Sequence, residues 1–457
     1  MASYRAATTL FVVYRAGMRL VLMFYGSRGD IQPGLAFGLE LQRRGHDVRM
    51  VVPPNYLALA RGLGLIAYAV GSDTASVWDS PRGQEILRTK NPYTKLRLAG
   101  AAIKEGFAAF DADVVDLLTG PDAEVTGVDG VVTGPLCQER MYSIAEKLGV
   151  PFSVLRFGPF SENGVVGAVP GVALPGPAAI NRASWKLTDT LGFMVGRGAE
   201  NSFRARLGLP AVQQSLHQRL MTGGILQIQA YDPVLFPGLV EEWGDRKPIV
   251  GYLDLPADAR GEAAGDAATT QAATRVLDQW LAAGDAPVFV TVGSVPVLDP
   301  DALTRVITAA CAAVGVRALI TIKGRATGPD RSDDGVFFAE SLDHAAVLPR
   351  CRAAVHHGGA GTTAAGLRAG LPTMVCHGGA DQAYWGRQVK TLGLGTSCRL
   401  KGLTAERLTA GLEVILDPSV GTRVAAVAGA LIAPDAAATH AAQLVEDRFG
   451  ATRSVSP

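Results

Sequence analysis

His356-His357-Gly358-Gly359-Ala360-Gly361-Thr362-Thr363 follows the apolar run Ala353-Ala354-Val355 and precedes Ala364–Ala369, which has helical composition. A strand, a glycine-rich turn and a helix start, in that order, make an anion site. Small residues let the backbone approach an anion, and the free N–H groups of the first helical turn point at it. A histidine at the mouth of the turn adds a donor. The chemistry implied is capture of a diphosphate, and the local grammar is that of an α/β protein.

The same grammar extends in both directions. Upstream, Val288–Val292 reads as a strand ending in Gly293-Ser294, followed by a helix over 301–314 and strands at Ala318–Ile322 and Val336–Ala339. Downstream, Pro372–Cys376 is a strand that runs into His377-Gly378-Gly379-Ala380-Asp381-Gln382. The N-terminal half opens with the buried-strand run Leu20–Phe24, a turn at Gly26-Ser27-Arg28-Gly29-Asp30, a helix over Gln32–Arg44 closed by Gly45, and a strand at Val48–Val52. A strand at Val128–Thr133, a helix at Glu139–Leu148 and a strand at Pro151–Leu155 repeat the unit. Alternating strands and helices predict two Rossmann-like, doubly wound parallel sheets whose strand ends face across a cleft. The helix-rich stretches 72–120 and 160–215 exceed what simple connections need. They are expected to shape a pocket.

Bulk composition narrows the function classes. The chain has 457 residues, too many for one ordinary core, with 48% hydrophobic and 19% charged residues. A net charge of +1 gives no basic surplus for nucleic acid. Cys137, Cys311, Cys351, Cys376 and Cys398 are odd in number and lack metal-type spacing, so reduced, mostly buried thiols in a cytoplasmic protein are expected. No apolar run reaches the roughly 18 residues of a membrane span. Residues 1–17 are expected to be a dispensable extension, residues 236–280 a linker poor in periodicity, and residues 446–457 a tail. Domains are expected over 18–235 and 281–445.

His357-x-Gly359-x-Gly361-Thr362, followed by Asp381-Gln382, resembles the donor signature of family 1 glycosyltransferases of the GT-B fold. Gly26-Ser27-Arg28-Gly29-Asp30-Ile31-Gln32-Pro33 resembles the opening of the bacterial and sterol-type branch of that family. Gln229-Ala230-Tyr231-Asp232-Pro233 and Phe236-Pro237-Gly238 are similar to phrases in actinobacterial enzymes that decorate glycopeptides and mycobacterial glycopeptidolipids. The resemblance spans residues 18–445. It implies an acceptor-binding first domain and a nucleotide-sugar-binding second domain.

The resemblance also implies roles. His357, Gly359, Gly361, Thr362, Thr363 and, from the interdomain side, Ser294 bind the diphosphate. Asp381 and Gln382 read sugar hydroxyls, and Asp30 is the general base. Each has a plainer alternative: a strand-end turn, a helix cap for Asp381, an Asx turn or N-cap for Asp30. His356 and His46 are read as structural. His344 and Ser341 fall in the segment that lines the nucleotide base. Ser341 replaces the stacking tryptophan of plant members, so base contacts are expected near the Val347 backbone. Ala365 stands where plant members carry a ribose-binding glutamate, which fits thymidine diphosphate while leaving uridine diphosphate open. The expected activity is inverting, metal-independent transfer of a glucose- or rhamnose-type sugar from UDP or dTDP to a hydroxyl of a hydrophobic acceptor, with no cofactor. Peripheral association with the inner membrane face goes with a lipid acceptor. A sugar-nucleotide epimerase and a catalytically silent transferase partner are the competing expectations.

Overall fold

The computed structural model describes residues 17–74, 76–77, 80–89, 91–168, 177–262, 267–293, 295–322, 335–339, 342–379 and 381–453. Residues 1–16 of the expected extension, Ser294 and Ser341 lie outside them.

The first sheet contains β1 (Arg19–Met23), β2 (Asp47–Val52), β3 (Ile66–Ala69), β4 (Gly130–Thr133), β5 (Phe152–Arg156) and β6 (Leu226–Gln229), in the order β3-β2-β1-β4-β5-β6. The second contains β7 (Val288–Thr291), β8 (Ala318–Thr321), β9 (Val336–Phe338), β10 (Ala353–His356), β11 (Thr373–His377) and β12 (Gly395–Arg399), in the order β12-β11-β10-β7-β8-β9. Every pairing is parallel. Central strands such as β4, β5 and β7 are buried along their whole length, because helices cover both faces of each sheet. The order reverses between β1 and β4, and again between β7 and β10. A crevice opens at such points beyond the carboxyl strand ends.

Five helices matter for function: α1 (Arg28–Arg43), α2 (Ala178–Arg206), α3 (Ala360–Arg368), α4 (Gln382–Thr391) and α5 (Pro434–Arg453). Helix α1 begins four residues before the expected start at Gln32. The cause is local: the carboxylate of Asp30 reaches back to accept from the Ser27 N–H at 2.8 Å. That closes the first turn in the manner of a capping box.

The expected domain end at 445 and tail from 446 are corrected by α5. It packs on the first domain, where Ala437, Ala441, Val445 and Phe449 share one core with Leu20, Leu22, Phe37 and Leu41. Arg44 clasps Glu446 at 2.6 Å. His46 Nδ1 accepts from the Met18 N–H at 3.1 Å, which leaves Nε2–H to donate to Glu446 at 2.9 Å. His46 is therefore structural, as expected. The expected linker is also built in part: Leu239, Trp243, Tyr252, Leu253 and Leu255 are buried, and Ala257–Glu262 and Ala267–Ala282 are helical. The five cysteines are free and four are buried. Among the described residues no helix is long and apolar enough to cross a membrane.

Candidate active site

Among the described residues, Asp30, His357, Asp381 and Gln382 lie just beyond the carboxyl ends of β1, β10 and β11, at or beside the switch points. Strand β1 delivers Asp30, β7 delivers Gly293, β10 delivers His357, and β11 delivers the loop to Asp381 and Gln382.

His357 sits at the end of β10 with 8% exposure, and its Nδ1 has no hydrogen-bond partner. Two glycines make room for its ring. A Cβ at Gly293 would lie 2.3 Å from Cε1, and one at Gly359 would lie 2.6 Å from Nε2. Gly293 also adopts φ +57°, which disfavours any side chain there. Burial, reinforced by His344, lowers the imidazole to about 4, so it is neutral at physiological pH. A buried nitrogen without a partner carries a desolvation cost, and a bound polar group relieves it. His356, 1% exposed, uses Nδ1 to accept from the Gly358 N–H at 3.0 Å, which pins the turn, while its Nε2 is likewise buried without a partner.

Helix α3 starts after Gly359, with no side chain capping it. The first-turn N–H groups of Ala360, Gly361 and Thr362 precede its first i→i−4 bond, made by Thr363 to Gly359 O at 2.9 Å. Thr363 does not belong to the open cradle. Its side chain is fully buried, and its hydroxyl also donates to Gly359 O at 2.9 Å. The expected diphosphate role is corrected to a brace for the turn.

Asp381 and Gln382 lie at the start of α4. Trp385, fully buried, donates its indole N–H to Asp381 Oδ2 at 3.0 Å, leaving Oδ1 for another partner. Burial raises the Asp381 carboxyl above its ordinary range, and the Trp385 bond opposes the rise. Gln382 Oε1 accepts from Gly378 N at 2.8 Å and Gly379 N at 3.3 Å. The amide therefore keeps only its NH2 for a ligand, not the donor-and-acceptor pair expected from its chemistry. Behind Trp385 stand Tyr231, Phe236 and Tyr252, with ring centroids at 6.1, 5.3 and 5.8 Å. The aromatic phrases before the linker thus form the wall that holds Asp381.

Asp30 lies in the first turn of α1, partly buried. Ser27 donates to Oδ2 from its N–H at 2.8 Å and its hydroxyl at 2.9 Å. Burial nevertheless raises the carboxyl to about 6, and the charge of Asp381 across the cleft adds to the rise. The ordinary value of about 3.9 expected from sequence does not hold here. Leu136, 50% exposed, borders the same spot: a Cβ on Gly26 would meet both Asp30 Oδ2 and Leu136 Cδ1, at 2.5 and 2.8 Å. Arg28 opens α1 and is held by Gln32 at 3.0 Å; its charge helps depress His344, which burial lowers first.

Val347 does not offer backbone to a base in this structure. Its side chain is buried with Phe289 and Leu319, its N–H donates to Asp343 O at 3.1 Å, and its carbonyl accepts from the Cys351 thiol at 3.5 Å. The domains touch where Tyr384 Oη donates to Gly167 O at 2.9 Å and packs edge-on against Phe160. Trp385 and Tyr384 escaped the sequence reading; their only signal was two aromatics directly after Asp381-Gln382-Ala383.

The chain is similar to known proteins over most of its length. The "Erythromycin biosynthesis protein CIII-like, C-terminal domain" family matches residues 307–447, and the "Glycosyltransferase family 28 N-terminal domain" family matches residues 20–115. An uncharacterized glycosyltransferase of Mycobacterium tuberculosis is 39% identical over 94% of this chain and 99% of its own length. A sterol 3-beta-glucosyltransferase of Arabidopsis thaliana is 27% identical over 92% of this chain and 64% of its own length. The glycosyltransferase VinC, solved in complex with dTDP, superposes with a TM-score of 0.59 at 18% identity, covering 95% of this chain and all of VinC.

Proposed function

Since the chain belongs to the family 1 glycosyltransferases, which draw sugar from nucleotide donors, we propose that it moves a glucose- or rhamnose-type sugar from UDP or dTDP to a hydroxyl of a hydrophobic acceptor, with inversion and without a metal. The observation that carries this reading is the placement of a raised carboxyl, Asp30, within electrostatic reach of Asp381 across the cleft.

The second domain holds the donor. The N–H groups of Ala360, Gly361 and Thr362 and a ring nitrogen of His357 receive the diphosphate. Negative charge grows on the diphosphate as the bond to the sugar breaks. Fixed dipoles aimed at that charge lower the barrier without reorganising. Oδ1 of Asp381 and the NH2 of Gln382 hold sugar hydroxyls, which orients the anomeric carbon toward Asp30. The acceptor hydroxyl donates to Asp30 and attacks from the face opposite the diphosphate. Its proton passes to the carboxylate as the new bond forms. A base near 6 accepts that proton more readily than one near 4 while remaining ionised at neutral pH.

The sterol named for the Arabidopsis relative and the exposed Leu136 beside Asp30 support an apolar acceptor. The dTDP held by VinC supports a nucleoside diphosphate donor, and the proposal covers both dTDP and UDP. A lipid acceptor would bring the protein to a cytoplasmic membrane face. The test is thermal stabilisation by UDP- and dTDP-sugars, followed by transfer to lipid and polyketide alcohols with the donor that stabilises most. Transfer with inverted product supports the reading. Epimerised donor with no transfer refutes it.

A further inference from the structure

Helix α2 carries its apolar face outward. Leu187 is 61% exposed, Leu191 51%, Met194 68% and Val195 88%, with Ile180 at 46% one further step along. At helical spacing these five fall within an arc of about 100°, with Ala183 just beyond one edge. Between Lys186 and Ala199 only Asp189 and Phe193 are half-buried; every other residue is exposed. The helix therefore stands proud of the domain as a convex ridge, not a groove.

The charges nearest the apolar arc are basic. Lys186 and Arg197 flank the apolar arc on one side, whereas Arg182 lies on the opposite face of the helix beside Asp189. The acid before Glu200, Asp189, points the opposite way and accepts from the Ser215 hydroxyl at 2.6 Å. Arg182 and Lys186 neighbour Glu242 and Glu162 at 2.8 and 3.5 Å yet stay 45% and 69% exposed along their side chains, and Arg197 lies over the Phe193 ring at 5.9 Å.

We propose that the exposed face of α2 is a docking surface for an anionic lipid bilayer. An apolar stripe with a cationic border matches a helix lying in a membrane interface, its side chains in the acyl boundary and its bases at the headgroups. A protein partner needs about 800 Å² of shape-matched surface per side. One convex helix with no flanking walls offers a single row of knobs, and a bilayer requires no matching holes. The proposal deepens the reading of a lipid acceptor and rests on it for its purpose. Its test contains no donor or acceptor, so it fails or holds separately from sugar transfer.

The test is co-sedimentation of the full chain with vesicles of phosphatidylcholine alone and of phosphatidylglycerol mixed with phosphatidylcholine. The wild-type protein pellets with the mixed vesicles, and less so in high salt. Leu191→Asp with Val195→Asp reduces the partition at least tenfold, and Lys186→Glu with Arg197→Glu reduces it about tenfold or more. The thermal midpoint holds in both variants, because the altered side chains are exposed. Wild-type protein that stays in the supernatant with both vesicle types overturns the proposal. So does an apolar-stripe variant that pellets like wild type. A light-scattering mass that halves on substitution, without vesicle binding by the wild type, assigns the face to a second copy instead.

Discussion

Replacing Asp30 with Asn separates catalysis from stability in one variant. Burial raises the carboxyl from 3.8 to about 6, so the folded chain holds this proton more tightly than the unfolded chain does. The favourable contribution is complete below the unfolded value and disappears as the pH rises through about 6. Above that, the folded protein carries a buried charge at a cost of roughly 3 kcal/mol, from about 1.4 kcal/mol per pKa unit. Asn keeps an oxygen for the Ser27 N–H and removes the charge. At pH 8 the variant should therefore be more stable by up to about 3 kcal/mol, a rise of several degrees at roughly 2–4 °C per kcal/mol. That gap should close as the pH falls below 6 and vanish near 4. In a transfer assay, wild-type kcat/KM should fall about tenfold per pH unit below 6, while the variant should be flat and roughly 10²–10⁴-fold slower. The measurements are kcat/KM from pH 5 to 9 and thermal midpoints at both ends of that range. A variant that transfers sugar at the wild-type rate, or a wild-type profile without a limb between pH 5 and 7, refutes the base assignment. A variant less stable than wild type at pH 8 refutes the account of the buried charge.

His357→Ala should weaken binding of the free nucleoside diphosphate by roughly 10–100-fold in calorimetry, the value of a hydrogen bond to a charged group. Gly293→Ala should do similar damage without deleting a polar atom, because its Cβ would occupy the place of the His357 ring; unchanged affinity would disprove the slot. Trp385→Phe keeps the aromatic packing but loses the bond to Asp381 Oδ2. Its donor KM should rise several-fold with the thermal midpoint nearly held, and an unaltered KM would remove Trp385 from the site.

The sheets were legible because nine of the strands are short apolar runs, most of them closed by glycine or proline, and that pattern recurs in both halves of the chain. The diphosphate turn was legible for the same reason: its chemistry is contiguous. Three short edge or near-edge strands, β3, β6 and β12, carry weaker patterns and were not anticipated. Contacts between distant segments were also hidden. Nothing near Asp30 in the chain announces Asp381, and that encounter together with burial moves its proton affinity. Nothing in Thr363 distinguishes it from Thr362; the helical turn buries one and leaves the other half-exposed. The Gln382 carbonyl is taken by two glycine N–H groups that only the folded loop brings near. Helix α5 reads locally as an unremarkable alanine-rich helix, and only the groove on the first domain gives it a destination.

That groove also sets an order of events during synthesis. The chain leaves the first domain near Leu255 and returns to it at Pro434. At roughly 5–20 residues per second, the ribosome needs on the order of 10–40 s to make the stretch between. For that interval the face of Leu20, Phe37 and Leu41 that α5 joins lacks its closing piece, and the last helix must then emerge fully from the exit tunnel. The domain made first is thus finished last. A premature stop within α5 strikes the first domain while the second stands complete, and a circular permutation that places α5 ahead of β1 removes the wait.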